Sequence, residues 1–549
     1  MIDSDALYHC EPAADGATSC WAAALADWRA LLGAADVLAA PAAQARYGSK
    51  GRQRIAGALR PADAALVPAI MQVANRHGVP VHPISTGRNW GYGDARPAAD
   101  GVVLLDLSRL DRILHIDAAL GTVTLQPGVT QGQLRRELDR RGLPFMVPTT
   151  GAGPEASLVG NALERGYGVT PHADHFSAVT SLKAVLPDGS HYVSRLHALG
   201  GERLDGCHKW GLGPYLDGLF TQANLGVVTE MTIALASRPQ HVEAFYIFLR
   251  REDELSAAVA AVRQVLRSVG GMLGSVNLLN GYRLASLSCA YPADLLDGHG
   301  GPLPPQRLAA MLKAERMGPY MVMGSVYGER GTARAALAAV RRAFGPCDAR
   351  IVTMTRGKAE RLKAVADRFP RLAGALGFGD AGRLLRALNI IEGIPDDFAL
   401  RLVHWKSRAG LPPDMTAAME AAGHDLLWYA PLVPLEPDHV VEFQAMVART
   451  CLAHGFEPLI TLTTLSDRCF DSSVPLLFDH RQHGARRRAQ ACYEELLRRG
   501  QALGVYPYRV GVDAFRLLSA SHDPGLALAR RIKALLDPRG VLSPGRYNL

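Results

Sequence analysis

Residues 62 to 93 constrain this chain more than any other stretch. The run "ADAALVPAIMQVANRH" spaces apolar residues at helical intervals, and "GVPVHPIS" after it reads as a strand, so a helix hands over directly to a strand. The strand then empties into "STGRNWGYG", where Gly87, Gly91 and Gly93 free the backbone to take positive φ and to approach a neighbour closely. Successive N–H groups in such a loop can converge on an anion such as a pyrophosphate. An ordinary glycine turn fits the same residues. The loop has neither the G-x-G-x-x-G spacing of a dinucleotide fold nor the Lys-Ser/Thr of a P-loop, so a phosphate site here needs another design that the rest of the chain must supply.

The pattern continues as a mixed α+β domain. Short strands are expected in "GVVLLDLSRL", "RILHID" and "GTVTLQPGV", followed by a helix in "TQGQLRRELDRRG" with Thr130 as its cap and Gly142 at its end. "TSLKAVLPDGSHYVS" reads as a hairpin turning at Pro187-Asp188-Gly189. "SRPQ" at 237–240 reads as a boundary, beyond which helices such as "DELSAAVAAVRQVLRSV" and "ARAALAAVRRAFG" alternate with strands in a second α+β layer. The last helix stops at Asp537-Pro538 and leaves an extended tail.

At 549 residues the chain divides into about two or three domains. With 48% hydrophobic and 20% charged residues it has the balance of a globular protein, and no apolar run is long enough for a membrane span. Eight cysteines are scattered without a C-x-x-C pair or metal spacing, so reduced thiols, no metal and a cytoplasmic setting are expected, with the periplasm left open. Only eight of the 60 basic residues are lysine. The net charge of +8 favours anionic substrates or an acidic partner, but the dispersed basic residues carry no aromatic interleaving for nucleic acid.

Seven blocks in order, "STGRNWGYG", "GNALERGYGVTPHADHF", "LPDGSHYVS", "GPYLDGLFTQANLGVVTEM", "YAPLVP", "YPYRV" and "LLDPRGVLSPGR", resemble the flavoprotein family of vanillyl-alcohol oxidase and the p-cresol methylhydroxylase flavoprotein subunit. The resemblance runs from about residue 50 to the C-terminus. It implies an α+β fold with a two-part FAD-binding domain, residues 1–238 and 500–549, and an α+β cap over 239–499. On that resemblance the loop with Thr86, Gly87, Arg88, Asn89 and Trp90 wraps the FAD pyrophosphate, Ser157, Gly160, Asn161 and Val228 lie in segments that hold the rest of the cofactor, and Arg546 returns to it in the tail.

The same resemblance assigns Tyr92, Tyr508 and Arg509 to a clamp for a phenolate. The residue types suit that task, because two hydroxyl donors and a permanent guanidinium stabilise an oxyanion and lower the pKa of the phenol. A para-alkylphenol so activated can release hydride from its benzylic carbon and become a quinone methide. Without the resemblance, Tyr508-Arg509 reads as a strand edge with a surface arginine.

Departures from the family matter too. The two positions that tether FAD in relatives hold Leu426 and Val403 here, with His404 and His424 nearby, so dissociable FAD is expected. Val169 stands where the pattern has tyrosine, beside Tyr167 and His172, and Thr461 stands where the methylhydroxylase type has glutamate. Glu155 is the carboxylate of the loop at 149–159 and the candidate for the acid near the flavin. Expected partners are a small phenol and an acceptor, either molecular oxygen or a redox protein such as a cytochrome; a homo-oligomer is compatible. Oxidation of a non-phenolic alcohol or hydroxy acid, or a non-catalytic flavin carrier, are the competing functions.

Overall fold

A computed structural model describes residues 16–48, 53–296, 301–371, 381–407, 412, 414–420, 423–479, 481–518 and 523–549. The helix expected after residue 62 opens as a short 3-10 turn, Ala64–Leu66, and continues as Val67–His77, where Pro68 occupies the first turn and Gly78 ends it at φ 65. Its apolar face carries Val67, Ile70, Met71 and Ala74 into a core shared with Trp28, whose Nε1 donates to Ile70 O at 3.2 Å. The strand Val81–Ile84 follows and pairs in parallel with Val102–Asp106, which pairs in parallel with Ile55–Leu59; Val37–Ala39 closes this four-stranded sheet antiparallel.

A second, five-stranded sheet is wholly antiparallel, in the order Ile113–Asp117, Thr122–Leu125, Val227–Ala234, Val179–Val185, His191–Val193. The helix Gln131–Arg140 lies beside it, and Thr130 caps that helix by accepting from Gln133 N at 3.2 Å.

Beyond residue 240 the chain builds a larger antiparallel sheet. Its order is Ala349–Met354, His241–Leu249, Tyr320–Gly328, Asn277–Asn280, Thr461–Thr464, Cys469–Asp479, Pro431–Pro434, Tyr506–Pro507, with His424–Tyr429 paired to the far half of Cys469–Asp479. Helices Leu255–Val269, Arg330–Ala343, Pro437–Ala453 and Ala485–Ala502 bury their apolar stripes on this sheet around Phe245, Phe443 and Phe470. Tyr506–Pro507 thus extends the cap sheet. Contact with the first domain resumes directly after it, where Val512 N donates to Tyr92 O at 3.0 Å, and is completed at Val541–Ser543, where Val81 N donates to Val541 O at 2.7 Å and Ser543 N to Val81 O at 2.8 Å. Among the described residues no helix is long and apolar enough to cross a membrane, and no group of His, Cys, Asp and Glu has the makings of a metal site.

Candidate active site

The glycine loop is pressed from two sides. Gly91 has φ 76, and a Cβ placed there would stand 2.5 Å from Trp428 Cδ1 and 2.9 Å from Leu426 Cγ. At Gly93, φ 124, it would stand 2.5 Å from Val512 Cγ2. Trp428 Nε1 also donates to Trp90 O at 3.0 Å. Two of the three glycines are therefore required by the cap and by the 511–513 segment packing on the loop. The loop's other face is open to a cavity.

That cavity, of about 450 Å³, is lined by residues of the 82–94 stretch, by Ser157, Gly160, Asn161 and Val228, and from the cap by Leu402 and Val403. Thr86, Gly87, Arg88, Asn89, Trp90, Tyr92, Tyr508, Arg509 and Arg546 all line it. The start of helix Leu158–Leu163 comes close to the loop: a Cβ on Gly160 would stand 2.4 Å from Ser85 Oγ, while Ser157 Oγ caps the helix by accepting from Gly160 N at 2.9 Å. Asn161 Nδ2 contacts His175 Nδ1 at 2.5 Å. Burial holds His175 down at about 4 and His82 at about 3, so both rings stay neutral.

At the inner end Tyr92, Tyr508 and Arg509 meet. Tyr92 and Tyr508 are neighbours, and the Arg509 guanidinium carbon lies 4.3 Å from the centre of the Tyr92 ring. Arg509 also donates to Asn89 Oδ1 and stands 3.5 Å from Glu164 Oε2. Glu164 further pairs with Arg546 and accepts from the Tyr547 hydroxyl at 3.0 Å. One carboxylate thus serves two guanidinium groups, and a positive charge is left over at this end while the neighbouring Asp471 is protonated. Burial raises both clamp tyrosines, Tyr508 with added push from the neighbouring Asp471, so their hydroxyls stay protonated and can donate. Tyr167 packs edge-on against Tyr508, ring centres 5.2 Å apart.

Asp471 is the carboxyl group the sequence reading missed. It sits on strand Cys469–Asp479, lines the cavity and is pushed up to about 7 by burial, with Arg509 opposing the shift. Its Oδ1, like Oδ1 of Asn224, is buried without a hydrogen-bond partner among the described residues. Glu155 is placed elsewhere: it is not a lining residue, its side chain is half exposed, and it stands 3.6 Å from Arg88 Nη1. Leu426 and Val403 both line the cavity, and neither can form a bond to a cofactor. His404 is buried but not part of the lining, and the His424 side chain lies outside the described residues. Val169 lines the cavity, while Thr461 reaches it through Arg283, whose Nε donates to Thr461 Oγ1 at 3.2 Å.

A long cavity bounded by a positive-φ loop, a helix start and a buried guanidinium fits a flavin dinucleotide. A family model described as FAD binding domain matches residues 55–194. The 1'-carboxy-chondrochloren decarboxylase of Chondromyces crocatus is 35% identical over 539 residues, covering 96% of this chain and 97% of that one. The chain belongs to the vanillyl-alcohol oxidase and p-cresol methylhydroxylase family. Within that family the 4-cresol dehydrogenase [hydroxylating] flavoprotein subunit of Pseudomonas putida is 27% identical over 485 residues, 88% of this chain and 86% of its own length. A crystal structure of p-cresol methylhydroxylase with substrate bound superposes with a TM-score of 0.83 at 25% identity, covering 97% of each chain. The expected α+β fold, FAD and membership among FAD-linked oxidoreductases stand on these matches.

Proposed function

We propose that this family member oxidises a para-substituted phenol whose hydroxyl rests against Tyr92, Tyr508 and Arg509. The observation that carries the reading is the convergence of those three side chains, from two distant segments, at the inner end of one cavity. FAD, bound along the loop 85–93, the 157–161 and 226–228 segments and Arg546, supplies the acceptor for a hydride from the benzylic carbon.

The protein's own groups prepare the substrate for that loss. Arg509 and the surplus positive charge beside Glu164 stabilise the phenolate, and the two protonated tyrosines donate to its oxygen. Leu400, Leu402, Val403 and Met419 wall the cap side and keep water away from the alkyl chain. Once hydride has left, the substrate is a neutral quinone methide, which adds water to give an alcohol or loses a neighbouring proton to give an alkene.

The match to a decarboxylase favours a third fate. If the carbon next to the benzylic one bears a carboxylate, its C–C bond to that carboxylate breaks, the electron pair forms the side-chain double bond, the ring returns to phenolate and carbon dioxide leaves. The test is anaerobic mixing with a para-alkylphenol, its O-methyl ether and its meta isomer. Bleaching by the para-phenol alone supports the reading, since the ether cannot ionise and the meta oxygen is not conjugated to the benzylic carbon. Equal bleaching by all three, or bleaching by hydroxy acids instead, overturns it. Admitting air afterwards distinguishes oxygen from a redox protein as the acceptor.

A further inference from the structure

Four arginines line the cavity, and three of them face a carboxylate: Arg509 and Arg546 share Glu164, and Arg88 stands against Glu155. Arg283 is the exception. On helix Gly281–Ser288 of the cap it has the Thr461 hydroxyl at 3.2 Å and the Ser286 hydroxyl at 3.5 Å, and no carboxylate pairs with it among the described residues. Burial pulls its pKa down to about 10, which still leaves it cationic at neutral pH. A half-buried guanidinium held by two hydroxyls keeps its charge uncompensated until something anionic joins it.

Its position is fixed. Asn280 Oδ1 caps the helix at Arg283 N, 3.0 Å, and also accepts from Ile460 N at 3.1 Å, while Asn280 Nδ2 donates to Pro458 O at 2.7 Å. The helix is thereby tied to the chain leading into strand Thr461–Thr464. Thr461 pairs with Ser473 in register, and Tyr508 N donates to the O atom of Ala430, the residue just before strand Pro431–Pro434. Tyr508, Ala430, Ser473 and Thr461 thus form a row across four strands, and three strand spacings put the backbones of Tyr508 and Thr461 about 14 Å apart. The clamp and Arg283 stand at opposite ends of that row, with apolar Leu402 and Val403 among the lining residues.

We propose that Arg283 is the second anchor of the substrate and takes a carboxylate on its side chain, so that the substrate class is a para-hydroxyphenyl compound with an acidic tail. This rests on the phenol reading for the head of the molecule and adds the chemistry of its other end. A carboxylate beside Arg283 neutralises the half-buried cation and fixes the substrate at both ends.

The test compares 3-(4-hydroxyphenyl)propanoate with its carboxamide. Dissociation constants are measured by calorimetry on the holoenzyme with its flavin reduced beforehand, so that no turnover intervenes. The wild type should bind the acid about tenfold or more tightly than the amide, and Arg283→Met should abolish that preference while Arg283→Lys keeps part of it. A wild-type preference for the amide, or an acid-to-amide ratio that Arg283→Met leaves unaltered, overturns the proposal. The wild-type ratio decides the matter even if the methionine variant fails to fold. If phenols reduce the flavin and the ratio is flat, the anchor fails and the phenol reading stands. If the ratio shifts but no phenol reduces the flavin, the reverse holds.

Discussion

The guanidinium carbon of Arg509 lies over the ring of Tyr92, 4.3 Å from its centre, while an outer nitrogen of the group donates to Asn89. Asn89 and Tyr92 belong to the glycine loop and Arg509 to the segment after the last cap strand, so one cation–ring pair joins the loop to that segment.

Removing either partner should slow the chemistry. Arg509→Ala and Tyr92→Phe each delete a donor to the phenolate, and a charge-assisted hydrogen bond contributes ~1.5 to 3 kcal/mol, so flavin reduction by a para-alkylphenol should slow by roughly tenfold or more. Stopped-flow absorbance on variants shown to retain FAD is the measurement. Wild-type rates in both would take the clamp out of the mechanism.

Asp471 gives a pH dependence whose sign follows from burial. Its pKa rises from 3.8 to about 7 on folding, so the folded protein holds a proton that the unfolded chain has released. Its contribution to stability is present below pH 4 and is lost as pH climbs to about 7, on the order of a few kcal/mol. Asp471→Asn should remove that decline in thermal scans across the range. Ionised Asp471 also opposes a second negative charge beside Tyr508, so affinity for a para-substituted phenol should fall above about pH 7 in the wild type and not in the variant.

FAD should leave the denatured polypeptide. The two lining residues at the tether positions are Leu426 and Val403, and neither carries a nucleophile. Acid precipitation should release fluorescent flavin into the supernatant; flavin that stays with the pellet would send the search to His404 and His424.

Gly91→Ala should cost stability and cofactor together. The new methyl meets Trp428 at 2.5 Å on a left-handed backbone, and overpacking plus the left-handed penalty sum to ~2 to 4 kcal/mol. A lowered Tm and FAD lost on gel filtration are expected, with Trp428→Ala restoring part of both. A wild-type Tm in the single variant would refute the contact.

Much of this was legible in the sequence because local signals carried it. The helix at 67–77 announced itself by periodicity and its closing glycine, and the glycine loop by composition. The clamp became visible only through ordered family blocks, since nothing local tells Arg509 from the many solvated arginines. Arg283 was missed for the same reason. Asp471 offered a faint sign, a carboxylate inside a strand-forming run where aspartate is disfavoured. Glu155 drew attention by its place in a loop, but which way a loop side chain faces is decided by partners such as Arg88, far away in sequence. The demand for Gly91 was read as belonging to a ligand, although the nearest atoms are those of a tryptophan more than three hundred residues on.

That tryptophan limits how such enzymes can be recombined. Because Trp428 fills the space a side chain on residue 91 would need and holds the Trp90 carbonyl, the cap and the loop carry matching halves of one lock. A cap transplanted from a relative with a different residue there would arrive without its key, so a working chimera has to move both segments as a unit.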